Sequence, residues 1–303
     1  MNDARLAEAS ALIRAGRLVA FPTETVYGLG ANALDPAAVR RIFEAKGRPG
    51  TSPLIVHVAS PEMAREFAAQ WPAAADLLAE RHWPGPLTLV VPKKPCIPDA
   101  VTAGLGTVGL RMPAHPLALA LIEASGVPIA APSANRFTEL SPTSAEHVRK
   151  SLGDAVDMIL DGGTTPVGIE STVLSLAAAR PLLLRPGMIS REEIEEVIGP
   201  VDTAATPGAG PHLSPGMHAR HYSPRTHLLL VRHGEVPGQG RGAYLKPGES
   251  MPADPRGYAA ALYATLHHLD EQGFDWIAVE EPPSEPAWAG IRDRLRRAAT
   301  AQS

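Results

Sequence analysis

Residues 18–30 read LVAFPTETVYGLG, and the fold turns on how this stretch is read. An apolar, β-prone run from Leu18 to Phe21 stops at Pro22. Thr23, Glu24, Thr25 and Tyr27 follow before Gly28 and Gly30 free the backbone. Strands of α/β sheets that finish in hydroxyls and glycines bring side chains and backbone N–H groups to one crevice, where small ligands bind. A plain strand with a polar turn would carry the same letters, so the weight falls on what surrounds it.

Working outward, residues 3–15 place Leu6, Ala9, Leu12 and Ile13 on one helical face, and Gly16 ends that helix just before the opening strand. Downstream, Asp35 caps a helix over 36–45 that delivers Lys46-Gly47-Arg48-Pro49 to the entry of a strand over 53–58. The pattern continues with helices over 61–69 and 73–81, strands over 87–91 and 107–113, a helix over 116–125 and a strand from Val127 ending at Ser133 and Asn135. Ser141-Pro142-Thr143 opens another helix, strands follow over 156–160, 170–175 and 181–184, and Ser190 with Glu193 has capping-box spacing at a closing helix. Such intermixing predicts an α/β domain with a mixed sheet over residues 1–199.

Residues 200–224 change character. They have no period and are dense in Pro, Gly and His, which predicts an interdomain linker. Connections this long without secondary structure are commonly functional or disordered, and the segment is expected to be an ordered lid over the cleft. His212, His218 and His221 within it lack ordered ligand spacing, so a linker is preferred to a metal site. Beyond it, strands over 227–231, 242–245 and 274–279 with helices over 257–271 and 288–299 predict a small Rossmann-like α/β domain, 225–303.

The 303 residues suit two domains better than one, and 45% apolar content is that of a globular protein. A formal net charge of -4 gives no general basic field for nucleic acid. Arg292, Arg294, Arg296 and Arg297 read as a solvated helix face in preference to an RNA patch. One cysteine, Cys96, excludes an internal disulfide, and the opening MNDARLAEAS has no secretory pattern, so a cytoplasmic protein without a membrane span is expected. No G-x-x-x-x-G-K-[ST] loop is present. What recurs is hydroxyls with cations at strand ends: Thr23, Thr25 and Tyr27; Lys46, Arg48 and Ser52; Thr107 and Arg111; Ser133 and Asn135; Ser171; Arg185. Guanidinium and ammonium groups neutralise charge while hydroxyls fix oxygen positions, so the set suits an anionic, phosphate-bearing substrate. His57 has no carboxylate beside it in sequence and reads by default as a core or cleft-wall histidine.

FPTETVYGLG, the Lys46-Gly47-Arg48-Pro49 segment, PLIVHV, WPGPLTLVV, TVGLRMPAHP, VPIAAPSAN, the Glu170-Ser171-Thr172 strand and LLRPG, in this order, resemble the Sua5/YrdC family of threonylcarbamoyl-AMP synthases. The resemblance spans nearly all of residues 5–198, and SPGMHARHYSP at 214–224 is similar to the linker signature of the long Sua5 form. It implies a YrdC-like mixed-sheet catalytic domain and an enzyme converting L-threonine, bicarbonate and ATP to threonylcarbamoyl-AMP and pyrophosphate. That product feeds formation of N6-threonylcarbamoyladenosine at tRNA position 37.

By the resemblance, Lys46, Arg48, Ser133 and Asn135 match the catalytic KxR…SxN set, and Thr25, His57, Arg111, Ala131 and Ser171 fall where the family holds threonine. Arg48, Ser52, Thr107, Ser133, Ser141, Arg185, His221 and Tyr222 fall where it holds ATP. Mg²⁺ is expected to come with ATP, no protein side chain is expected to ligate a metal, and the product is expected to pass to the tRNA transfer machinery, with weak RNA binding a secondary expectation. The 136–140 loop, RFTEL, departs from the glycine- and serine-richer form of many relatives. Two rival readings are an RNA-binding module on the same fold and carbamoyl transfer of the hydrogenase-maturation kind. Low aromatic content and acidic charge disfavour the first, and a lone cysteine disfavours the second, whose members carry cysteine-rich zinc modules.

Overall fold

The computed structural model describes residues 3–204, 222–232 and 234–299. The segment 18–30 is a hairpin. Strand β1 (Val19–Pro22) turns through Thr23–Val26 into β2 (Tyr27–Asn32), antiparallel, with Val19 opposite Gly30 and Phe21 opposite Gly28. The second strand was not expected, because the glycines read as backbone freedom. Their actual reason is close packing: a Cβ on Gly30 would sit 2.7 Å from Phe21 Cε1 and 2.8 Å from Ile129 Cγ2.

Eight further strands join this hairpin: β3 (Ile55–His57), β4 (Leu87–Pro92), β5 (Thr107–Arg111), β6 (Ile129–Ala130), β7 (Met158–Ile159), β8 (Thr172–Ser175), β9 (Leu182–Arg185) and β10 (Asp202–Thr203). Among the described residues they form one mixed sheet in the order β10-β9-β8-β4-β5-β3-β6-β2-β1-β7. Parallel pairs such as β3/β5 and β4/β8 alternate with antiparallel pairs such as β4/β5 and β8/β9. Because β10 pairs with β9, the first domain keeps its sheet through Thr203, slightly past the expected boundary.

Helices α1 (Asp3–Arg14), α2 (Pro36–Lys46), α3 (Pro61–Phe67), α4 (Ala73–His82), α5 (Asp99–Thr102), α6 (Pro116–Ser125), α7 (Ala145–Leu152) and α8 (Arg191–Ile198) accompany the sheet. Their ends follow local chemistry. The Asp35 side chain accepts Ala37 N–H at 2.8 Å, and Gly47 closes α2 in the left-handed region. Ser190 and Glu193 form the reciprocal capping box.

The second domain has a parallel sheet, β11 (His227–Val231), β12 (Gly242–Leu245) and β13 (Trp276–Glu280), in the order β11-β13-β12. Helix α9 (Pro255–Glu271) crosses from β12 to β13, and α10 (Ala289–Ala298) closes the chain. This is the Rossmann-like pattern expected. The two domains share a core: Val26, Leu140, Ile169 and Tyr222 pack with Leu228, Leu262, Ile291 and Leu295. Contact is close enough that a Cβ on Gly168 would lie 2.2 Å from Ala259 O.

One reading is corrected here. Arg294 is not on a solvated face; it is 1% exposed. It lies three residues after Ile291 and four before Ala298, so it enters the core on the apolar stripe of α10. No described helix is long and apolar enough to cross a membrane. The lid expectation for 205–221 and the cluster His212, His218 and His221 lie outside the described residues.

Candidate active site

The hairpin turn builds the first wall of a cleft. Thr23 Oγ1 accepts the N–H groups of Thr25 and Val26, both at 3.2 Å, and donates to Val26 O at 2.6 Å, which closes the turn without glycine. Thr25 Oγ1 is thereby left 2.8 Å from Thr23 Oγ1 and receives Arg111 Nη2 at 3.0 Å. Arg111, at the end of β5, also reaches Glu24 Oε1 at 2.7 Å and donates through Nε to Gly85 O at 3.2 Å. Glu24 Oε2 accepts Ala114 N–H at 3.0 Å. Arg111 and Glu24 are both buried and form an ion pair there.

His57 ends β3 beside Arg111 and meets the Phe21 ring edge-on at a centroid distance of 6.0 Å. Burial, reinforced by the Arg111 charge, lowers its pKa to about 3, so the ring is neutral at physiological pH. Its Nδ1 is buried with no hydrogen-bond partner among the described residues. A neutral ring with an open nitrogen is a candidate contact for a bound ligand.

The second wall descends from the Lys46–Arg48 segment. Arg48 donates through Nη2 to Ser52 Oγ and to Pro53 O, the latter at 3.1 Å. Burial lowers its pKa to about 10, with Tyr222 working in the opposite direction, and it stays charged. Lys46 behaves differently. Its Nζ donates to the carbonyls of Ser133, at 2.6 Å, and Asn135, and burial with the neighbouring Arg48 holds it well below the usual lysine range. Lys46 therefore braces the 133–135 backbone and does not itself line the cleft. Asn135 is likewise inward, donating through Nδ2 to Arg136 O and Glu139 O at 2.8 and 2.9 Å.

The third wall is where the domains meet. Arg185, at the end of β9, donates to Ser171 O through Nε and Nη2 at 3.1 and 2.9 Å, and to Ser171 Oγ at 3.2 Å. Ser171 Oγ lies 2.8 Å from Thr88 Oγ1. Glu170, beside it, is bound by Ser141 Oγ, by Tyr263 OH at 3.2 Å and by Arg294 Nε at 2.6 Å. Burial alone would push its carboxyl up, but Arg294, Arg185 and the Ser141 hydroxyl outweigh that and hold it below the usual carboxylate range. Tyr222 covers this wall with a left-handed backbone, φ 62°, and 1% exposure. Its neighbour Ser223 is pinned by donation to Thr138 O at 2.9 Å, so the divergent 136–140 loop anchors the end of the interdomain segment.

Thr25, Arg48, His57, Arg111, Ala131, Ser133, Ser171, Arg185 and Tyr222 thus line one cleft. Ser52 and Ser141 stand behind it, hydrogen-bonded to Arg48 and Glu170. Thr107 lines a small adjoining cavity with Thr102 and Gly109, and that cavity shares Ile55 with the cleft. Four residues of strand, about 13 Å, separate Thr107 from Arg111. His221 lies outside the described residues. Sequence reasoning gave no site role to Glu24, Glu170 or Arg294. Three buried arginines and several hydroxyls converging on one space can bind a polyanion and stabilise charge developing on phosphoryl oxygens.

Comparison with known proteins bears on this site. Residues 11–187 match the Sua5/YciO/YrdC family model, described as "Telomere recombination", and residues 189–300 match "Threonylcarbamoyl-AMP synthase, C-terminal domain". The chain is 44% identical to the threonylcarbamoyl-AMP synthase of Pyrococcus abyssi, with 96% of this chain and 92% of the relative covered. It is 45% identical to that of Bacillus subtilis, with coverage of 98% and 94%. The crystal structure of P. abyssi Sua5 complexed with L-threonine superposes with a TM-score of 0.93 at 42% identity, covering 99% of this chain and 95% of that one.

Proposed function

The chain belongs to the Sua5/YciO/YrdC family in its long, two-domain form, and on that premise we propose that the cleft walled by Arg48, Arg111 and Arg185 is where it makes threonylcarbamoyl-AMP. The activity is that of an L-threonylcarbamoyladenylate synthase, a nucleotidyltransferase: L-threonine, bicarbonate and ATP give threonylcarbamoyl-AMP and pyrophosphate, the first step of tRNA N6-threonylcarbamoyladenosine formation. The observation that carries the site assignment is the convergence of three buried, hydrogen-bonded arginines on one cleft whose other groups are hydroxyls and a neutral imidazole.

The walls divide the work. Arg111 with Thr25, His57, Ala131 and Ser171 receives threonine, the guanidinium facing its carboxylate. Arg48, Ser133 and Arg185 receive the nucleotide, Ser52 and Ser141 holding Arg48 and Glu170 in place, and Tyr222 covers it. Threonine's neutral amine takes up the bicarbonate carbon with loss of water, giving a carbamate. A carbamate oxygen then bonds the α-phosphorus, the bond to the β-phosphate oxygen breaks, and pyrophosphate leaves with that electron pair. No covalent enzyme nucleophile is needed. Charge accumulates on phosphoryl oxygens, where fixed guanidinium groups stabilise it. Lys46 contributes by fixing the Ser133 and Asn135 carbonyls, and with them the course of the cleft floor.

The cleft carboxylates, Glu24 and Glu170, are each committed to an arginine. The donor set therefore favours Mg²⁺ arriving with ATP, where it would add charge neutralisation at the phosphates beside Arg48 and Arg185. A water-labile carbamate and mixed anhydride call for a covered site, which is the purpose we assign to Tyr222. The product passes to the tRNA-modifying transfer enzymes, and the setting is the cytoplasm. The deciding experiment is pyrophosphate release from ATP that requires both threonine and bicarbonate; release independent of threonine would overturn the reading.

A further inference from the structure

Arg294 is the most deeply buried charge in the second domain, with a side chain that is 0% exposed. It does not line the cleft, yet every partner it has outside its own helix belongs to the cleft wall. Nε reaches Glu170 Oε2 at 2.6 Å, Nη2 reaches Glu170 O at 3.2 Å, and Nη1 reaches Pro186 O at 3.0 Å. One guanidinium thus ties the residue before Ser171 to the residue after Arg185. Its Cζ also lies 5.2 Å from the centre of the Tyr222 ring, and Asp293 Oδ2 receives Nη1 at 2.7 Å.

We propose that Arg294 is a positioning residue of the nucleotide wall, supplied by the second domain, which cancels the charge of Glu170 and fixes Ser171 and Arg185 against each other. This rests on the function proposed above. A carboxylate at 7% exposure lining a cleft that must admit a triphosphate would repel it, because the intervening medium screens poorly. Glu170 is nonetheless useful where it stands: it gathers Ser141, Tyr263 and Arg294 onto the strand end that presents Ser171. Pairing with Arg294 keeps the scaffold and removes the repulsion. Glu24 has Arg111 for the same purpose on the threonine wall, but there both partners come from the first domain. The second domain is by this account part of the active site through one side chain.

The test compares Arg294→Met, Glu170→Gln and the double variant in full-length protein, with kcat and the KM values for ATP and threonine measured separately and folding checked by thermal melting. Arg294→Met should raise KM for ATP about tenfold or more, the effect of one uncompensated charge near a polyanion. KM for threonine should rise less than KM for ATP, since of the threonine wall only Ser171 is reached through Glu170 while Arg111 has its own partner in Glu24. Adding Glu170→Gln should restore much of the ATP affinity, because a neutral amide has no charge left to cancel. A purely structural role would lower kcat through loss of folded enzyme and leave both KM values unchanged. Wild-type KM for ATP in folded Arg294→Met, or additive losses in the double variant, would overturn the proposal. Should Arg294→Met not fold, Arg294→Gln decides: it removes the charge but keeps a hydrogen-bond donor for Glu170, so a raised KM for ATP supports the proposal and an unchanged KM for ATP refutes it. A wild-type enzyme that releases no pyrophosphate would instead count against the function itself.

Discussion

Gly30 is closely packed behind the cleft, and Gly30→Ala turns that packing into a measurement. The added methyl would stand 2.7 Å from Phe21 Cε1 and 2.8 Å from Ile129 Cγ2, and both side chains are fully buried in one cluster with no exposed space to retreat into. Overpacking of this kind costs about 1–3 kcal/mol, which in a protein of this size lowers Tm by about 2–4 °C per kcal/mol. Gly28→Ala is the graded comparison: its nearest neighbours would be Ala131 Cβ at 3.2 Å and Phe21 Cζ at 3.4 Å, so a loss below about 1 kcal/mol is expected. Gly50→Ala, with nothing within 4 Å, should be neutral or slightly stabilising. The strain at Gly30 also has a route to function. Phe21 buttresses the His57 ring, so displacing it should raise KM for threonine several-fold while leaving KM for ATP nearly unchanged. Urea denaturation and steady-state pyrophosphate release read the two effects. Equal stability of the Gly30 and Gly50 variants would refute the packing argument, and an unchanged KM for threonine would refute the link to His57.

Three further outcomes follow from the site. Arg48→Ala should lower kcat/KM by a factor corresponding to about 3 kcal/mol, as for a lost phosphate or oxyanion donor, with folding retained; wild-type pyrophosphate release would remove Arg48 from the nucleotide wall. His57 gives a signed pH effect: its folded pKa, about 3, is below the usual 6.5, so the unfolded chain takes up the proton first. Its contribution is complete above 6.5 and is lost at about 1.4 kcal/mol per pH unit as pH falls below that, until the folded ring protonates; His57→Gln should flatten that part of a urea-denaturation series, and an unaltered slope would contradict it. Threonine should be preferred to serine in kcat/KM by about 10–200-fold, the worth of one methyl in an apolar pocket, and equal values would exclude such a pocket.

Much of this was legible because the signals are local. Asp35 before Pro36 and Ser190 before Glu193 announce helix starts from a few adjacent residues, and the structure has both caps. Strand ends bearing Thr25, Arg48, Arg111, Ser171 and Arg185 do converge, as their chemistry suggested. What was not legible shares a cause. Nothing near Lys46 in sequence shows that its ammonium donates to carbonyls 87 and 89 residues away. Arg294 looked solvated because its partner Glu170 is 124 residues distant, though its spacing from Ile291 and Ala298 carried the clue. Gly28 and Gly30 were read for what glycine permits, whereas β2 uses them for what they lack.

The order of strands in the large sheet governs when the enzyme becomes an enzyme. Val19 on β1 pairs with Met158 on β7, Leu87 on β4 pairs with Thr172 on β8, and the cleft draws on segments from Thr25 to Tyr222. Pairings of such sequence separation incur loop-closure entropy before they return any contact energy, which makes them late events in folding. Local helices such as α2 and α9 need no such wait. Secondary structure should therefore return well before activity when the unfolded chain is diluted into buffer. During synthesis, a nascent chain can shape its first hairpin early, but Glu170 stays without its Arg294 partner until α10 arrives.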